Sequence, residues 1–174
     1  DFLNVSRIQS GKFTLEMSKA SLSEIVSEEI LQIQDSAKSR GVEITYVPPE
    51  NFPLVDMDEN KIRQVIMNFI DNSIYYSQAN RGRITISLSA DDDRAKLLVQ
   101  DNGIGVPAGE QKQLFSKFYR ASNARKQRPD GTGIGLFMAH KVIMAHGGEM
   151  VLESKEGRGS VFGFRLPIKQ NTPS

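Results

Sequence analysis

Apolar residues along this chain keep two different periods, and the changes from one to the other predict its elements. Leu22, Ile25, Val26, Ile30, Ile33 and Ala37 fall on one face of a helix. Ser21 and Glu24 form a capping box at its start, and Gly41 closes it. Ile62, Val65, Ile66, Phe69 and Ile70 mark a second helix, capped by Asp58 and running to about Tyr76. A third runs from the glycines at 131–135 to His146, where Gly147 and Gly148 stop it. Strand alternation is expected at Lys12–Met17, Val42–Val47, Arg83–Ser89, Ala95–Gln100, Glu149–Ser154 and Ser160–Pro167, with a short extended piece at Pro53–Val55. Turns at Asp91–Asp93 and Glu156–Gly159 join the last four strands into two hairpins. Phe2, Val5 and Ile8 share one face, so Asp1–Gly11 reads as the last turns of a longer helix. Glu110–Phe118 is expected to be a short helix, and Tyr119–Asp130 a mobile, basic loop.

Consecutive hairpins among helices predict an α+β class, a two-layer sandwich. Its sheet is expected to be mixed and mostly antiparallel, covered on one face by helices. Residues 13–168 would form one domain, 1–12 the end of another unit, and 169–174 a polar tail. Composition narrows the class further. At 39% hydrophobic, 25% charged and a net charge of +1, the chain has an ordinary soluble composition and no global field for nucleic acid. It has no cysteine, which excludes disulfides and thiolate metal sites. Its longest apolar clusters, Ile66–Ile70 and Ile134–Ala139, are far shorter than the roughly 20 residues of a membrane helix. A chain starting at Asp1 reads as a fragment of something longer.

Candidate chemistry lies at three places. A strand ends on Asp101-Asn102-Gly103-Ile104-Gly105, where a carboxylate beside two glycines can take a hydrogen bond from an exocyclic amine such as that of adenine. An ordinary turn explains the same string and stays open. Asn68 and Asn72 lie four residues apart on one helix side, next to Gln64. Asparagine is a poor helix former, and an amide oxygen is a hard neutral ligand suited to Mg²⁺ shared with phosphates. Gly131, Gly133 and Gly135 open a helix whose N-terminus is a natural phosphate cradle. Between the glycine clusters, Lys112, Lys117, Arg120, Arg125, Lys126 and Arg128 form a solvated basic run, of which one or two can cover a polyphosphate. Neither the P-loop string nor the dinucleotide fingerprint occurs in its structural context. His146 reads as a helix C-terminal residue favoured by the dipole, and His140 as exposed or packed.

Taken together these strings resemble the N, G1, F and G2 boxes of sensor histidine kinases. They are Asn68-x-x-x-Asn72, Asp101-x-Gly103-x-Gly105, Phe115-x-x-Phe118-Tyr119-Arg120 and Gly131-Thr132-Gly133-Ile134-Gly135-Leu136. The resemblance implies the ATP-binding catalytic domain shared with type II topoisomerases, mismatch-repair ATPases and heat-shock chaperone ATPases, with a mobile ATP lid. It implies that Asp101 binds the adenine amino group, with Gly103, Ile104 and Gly105 beside the base. Asn68 would hold Mg²⁺, Asn72 would assist at phosphate or ribose, and Tyr76 would flank the nucleotide. Arg120 would reach the phosphates, and Gly131, Thr132, Gly133, Ile134, Gly135 and Leu136 would form hinge and cradle. Asn68 and Arg120 are the implied catalytic residues.

The implied activity is γ-phosphoryl transfer from Mg-ATP to a histidine on a dimerisation domain outside this chain. A response regulator would be a further partner. The domain would be monomeric and cytoplasmic, within a homodimeric, membrane-bound parent. An anti-sigma-factor-type serine kinase or a non-catalytic nucleotide-binding module is the alternative. Three departures stand out. Gln64 replaces the glutamate that activates water in hydrolytic relatives, which favours transfer. Tyr75 stands where a basic residue is common. No histidine precedes position 140, so a phosphoacceptor is missing.

Overall fold

The computed structural model describes residues 14–78, 80–128 and 131–170, so the expected helix over Asp1–Gly11 lies outside them. Among the described residues seven strands occur, β1 (Ser18–Ala20), β2 (Val42–Tyr46), β3 (Val55–Met57), β4 (Gly82–Ala90), β5 (Arg94–Asp101), β6 (Glu149–Lys155) and β7 (Gly159–Pro167). Four helices accompany them, α1 (Leu22–Ser39), α2 (Glu59–Tyr75), α3 (Ser122–Gln127) and α4 (Gly135–Ala145), with a 3₁₀ segment at Ala108–Gln113.

The main sheet has the order β2-β4-β5-β7-β6. Both expected hairpins are present, and β5 pairs antiparallel with β7, so three of its neighbouring pairs are antiparallel. The fourth, β2 with β4, is parallel. A parallel return needs a long crossover, and the stretch carrying β3 and α2 supplies it. One face of the sheet is buried. On β4, Ile84 and Ile86 are buried while Arg83, Thr85 and Ser87 are exposed, and Ala95, Leu97 and Val99 of β5 continue the buried face. Phe69 of α2 seats on that face, its ring 6.1 Å from Phe162 and 6.3 Å from Phe164. Helices α1 and α4 pack against α2 on either flank. The α+β two-layer expectation therefore holds.

Ser21 caps α1 through the Glu24 amide, and Asp58 caps α2 through the Lys61 amide. Four local expectations need correction. The strand expected at Lys12–Met17 is displaced to Ser18–Ala20, where β1 pairs with β3 in a separate two-stranded sheet; Lys12 and Phe13 lie outside the described residues. The extended piece at Pro53–Val55 likewise becomes strand β3 at Val55–Met57. The helix expected at Glu110–Phe118 is a 3₁₀ turn ending at Gln113. The expected loop at Tyr119–Asp130 contains α3, because Glu110 supplies what no local residue does: its carboxylate accepts hydrogen bonds from the Ser122 amide at 3.0 Å, the Ser122 hydroxyl at 2.8 Å and the Tyr119 hydroxyl at 3.2 Å. A carboxylate at that end satisfies a free first-turn N–H and favours the helix dipole.

His146 is also placed differently. It is buried, Nδ1–H donates to the Val142 carbonyl at 2.7 Å, and Nε2 accepts the Asp58 amide at 3.0 Å. Burial pushes its pKa below the ordinary value, with Val142 and Asp58 opposing. It is a neutral pin between the end of α4 and the start of α2, not a surface cation at a helix end.

Candidate functional site

The asparagine helix and the two glycine clusters meet around one cavity of about 700 Å³. Asn68, Asn72, Tyr76, Asp101, Ile104, Gly105, Arg120 and the whole run Gly131–Leu136 line it. Among the expected residues Gly103 alone does not.

At one end lies Asp101, carried to the tip of β5. Its Oδ1 accepts the Gly103 amide at 2.9 Å and the Ser160 amide at 3.1 Å, and its Oδ2 accepts the Ser73 hydroxyl at 2.9 Å. The bond to Gly103 is the turn that the string also predicted, so the two readings coexist. Burial pushes the Asp101 carboxyl above its ordinary range, and the bonds from Gly103, Ser73 and Ser160 pull it back. A carboxylate has about four lone-pair positions, so three protein donors leave room for one more. Ser160 and Ser73 were not foreseen. Ser160 reaches Asp101 through the β5–β7 register, in which Gln100 faces Val161. Ser73 carries no comparable local signal, since its burial on α2 shows only in the fold. The glycines here serve the protein's own packing. A Cβ on Gly103 would strike the Tyr76 carbonyl, and one on Gly105, at φ +67, would strike the Lys155 carbonyl.

Toward the other end the Asn72 amide donates to Asn68 Oδ1 at 3.3 Å. Gly135 opens α4 directly against Asn68; a Cβ there would collide with its amide nitrogen. Among the described residues no side chain caps α4, so its first amides are available to a ligand. Gln64 and Asp71 line the same wall. Arg120 donates to the Tyr76 hydroxyl at 2.9 Å and to the Ala124 carbonyl at 3.1 Å, and Gly131 makes room for its guanidinium. Of the basic run, Arg120 and Arg128 reach the cavity wall. Phe118 holds φ +63, an outlier for a bulky residue, where its amide donates to the Gly133 carbonyl at 3.0 Å. Phe115 stacks on His140 at 5.3 Å, so that histidine is packed and belongs to the scaffold.

Helix α3 closes the cavity over the Asp101 end. Asn123 donates from Nδ2 to the Gly105 carbonyl at 2.9 Å, while its Oδ1 is buried without a partner among the described residues. Among those residues no cluster of histidine or carboxylate side chains could hold a metal ion. A cation here would therefore depend on isolated protein oxygens, such as the Asn68 amide, and on its ligand's oxygens. No helix among them is long and apolar enough to cross a membrane.

The family model described as histidine kinase-, DNA gyrase B- and HSP90-like ATPase matches residues 57–170. The sensor histidine kinase WalK of Bacillus subtilis is 32% identical over 172 residues, 98% of this chain and 28% of that protein. The nucleotide-free catalytic domain of the histidine kinase ThkA superposes with a TM-score of 0.76 at 25% identity, over 88% of this chain and 99% of that one. Full-length ShkA, solved in complex with AMPPNP, superposes with a TM-score of 0.84 at 23% identity, over 99% of this chain and 35% of that one. The chain spans less than half the length of the curated relatives it matches.

Proposed function

This chain belongs to the histidine kinase-, DNA gyrase B- and HSP90-like ATPase family, and we propose that it is the ATP-binding catalytic domain of a sensor histidine kinase. It binds Mg-ATP and presents the γ-phosphoryl group to a histidine on a helical dimerisation domain of the same parent, from which a response regulator would take it. The parent would be a membrane-bound homodimer with this domain in the cytoplasm. One observation carries the reading. A carboxylate with a free acceptor position and a paired-asparagine wall facing uncapped helix amides line the same cavity, of a size suited to a small-molecule ligand.

Within it, Asp101 accepts the adenine amino group. Gly103 serves through its amide, which orients that carboxylate, and Ile104 and Gly105 form the wall beside the base. Tyr76 flanks the nucleotide and keeps Arg120 aimed inward through its hydroxyl. The phosphates lie toward Asn68, Asn72 and the N-terminus of α4, where Gly131, Thr132, Gly133, Ile134, Gly135 and Leu136 present backbone amides. Mg²⁺ fits the donor set: it prefers oxygen, tolerates few protein ligands and shares itself with phosphates. Asn68 Oδ1 would hold it, and when bound it neutralises charge on the phosphates. The rest is positioning and charge neutralisation around a loose transition state. Gln64, a neutral amide on the cavity wall, cannot act as a general base toward water. This favours transfer over hydrolysis.

The test is calorimetric titration with Mg-ATP, followed by transfer to a supplied histidine-bearing helical domain. Binding at up to millimolar nucleotide and label on the acceptor histidine are expected. Absence of binding would sink the reading. So would transfer that survives Asn68→Ala unchanged, for the role given to Asn68.

A further inference from the structure

Ser73 lies inside α2 with 1% of its surface exposed, and it does not line the cavity. A serine in a helix interior ordinarily turns its hydroxyl to the carbonyl four residues earlier or out to solvent. Here the hydroxyl donates instead to Asp101 Oδ2 at 2.9 Å. The three donors on that carboxylate are divided unevenly. Oδ1 accepts both amides, from Gly103 and Ser160, whereas Oδ2 has Ser73 alone. A carboxylate has about four lone-pair positions, two on each oxygen, so the remaining one lies on Oδ2, beside Ser73. Burial pushes the Asp101 carboxyl up and only those three bonds oppose it; among the described residues no charged group contributes. The groups that face it from α2, β7 and the following turn are thus two serines and a glycine, with Ile84 opposite it on β4.

We propose that Ser73 is a specificity-determining positioning residue: its hydroxyl keeps Asp101 Oδ2 an acceptor for the base, so that the cavity takes a 6-aminopurine and rejects a 6-oxopurine. This rests on the nucleotide-binding reading above. A hydrogen bond donated to the charged form of a group favours that form. Without the hydroxyl, Oδ2 is the carboxylate oxygen left with no protein donor, and a proton from solvent settles there most readily. A protonated carboxyl donates from that oxygen. It then meets the carbonyl of a 6-oxopurine as a partner, where a carboxylate meets it as a second acceptor. Backbone amides fix Oδ1 whichever side chain stands at position 73, so the chemical identity of Oδ2 hangs on one hydroxyl.

The full chain is titrated with the Mg²⁺ complexes of ATP, inosine triphosphate and purine riboside triphosphate, which carry an amine, a carbonyl and only hydrogen at the same ring carbon. The unaltered chain should bind ATP at least about tenfold more tightly than inosine triphosphate. In Ser73→Ala that ratio should shrink about tenfold, ATP weakening while inosine triphosphate holds or gains, and purine riboside triphosphate should change by less than about twofold. Ser73→Cys, similar in shape and a weaker donor, should fall between, and it decides the question in the same way if Ser73→Ala does not fold. An unchanged ratio, or an equal loss for all three nucleotides, would overturn the proposal. ATP binding by the unaltered chain without preference over inosine triphosphate would overturn the role of Asp101, and the proposal with it. Failure of the unaltered chain to bind any of the three would instead overturn the nucleotide reading itself.

Discussion

The two ends of the cavity are built in opposite ways. At Asp101 the side chain is fixed by three donors from α2, the following turn and β7, all internal to the layered core. At Asn68, Arg120 and Arg128 the polar groups mostly bond or stack on each other, across α2 and the α3 segment. The first arrangement is preorganised, and a ligand completes it. The second is a set of contacts that a ligand can exchange for its own. Recognition of a flat, rigid base suits the former, and accommodation of a flexible, charged chain suits the latter.

The largest expected effect falls on the fixed end. Asp101→Asn should cost about 1.5–3 kcal/mol of Mg-ATP affinity, since a charge-assisted acceptor is replaced by a group that can donate. Calorimetry decides it, and unchanged affinity would remove the contrast between the ends. Next comes Gly105→Ala, expected to cost about 1–3 kcal/mol of stability because the position needs positive φ and has no room for a Cβ. A urea midpoint equal to that of the unaltered chain would show that the loop is not rigid.

A third experiment separates scaffold from site. Burial depresses the pKa of His146 in the folded state, so the unfolded chain binds the extra proton more readily. Stability should be full above the ordinary value of 6.5 and fall as pH drops from there toward the depressed folded value. The slope from this one proton is at most about 1.4 kcal/mol per pH unit. In His146→Gln that portion of the slope should vanish, and an unaltered slope would acquit the histidine. Smallest is Asn123→Ala, which removes the tie to Gly105 and should cost about 0.5–1.5 kcal/mol. Faster amide exchange in α3 alone is the expected signature, and exchange spread over the sheet would contradict it.

What the sequence disclosed follows the same division. Helices α1, α2 and α4 and both hairpins could be read because their signals, apolar period, caps and turns, are local. The cavity residues were legible as strings for the same reason. What escaped depends on partners far along the chain. Ser160 meets Asp101 only through strand register, and Glu110 makes α3 a helix from outside it. The parallel seating of β2 on β4 carries no mark in either strand. Tyr75 reads as a departure from a pattern, and only the fold brings Arg40 and Arg128 over its ring. His146 misled because its position at the end of α4 suggested a charge favoured by the dipole, whereas it is buried and accepts the Asp58 amide from far along the chain.

The small β1–β3 sheet brings the two ends of the described fold together. The Glu16 amide bonds to Asp58 at 2.9 Å, and the Gln170 amide bonds to Asp56 at 3.1 Å. The stretches entering and leaving the fold therefore anchor within one short span, beside the first turn of α2. Units whose two connections emerge side by side can be spliced into a host, or permuted, without stretching either junction. Here those two stretches converge on the first turn of the helix that carries Asn68 and Asn72, so a force applied across residues 16 and 170 is expected to load the root of that helix.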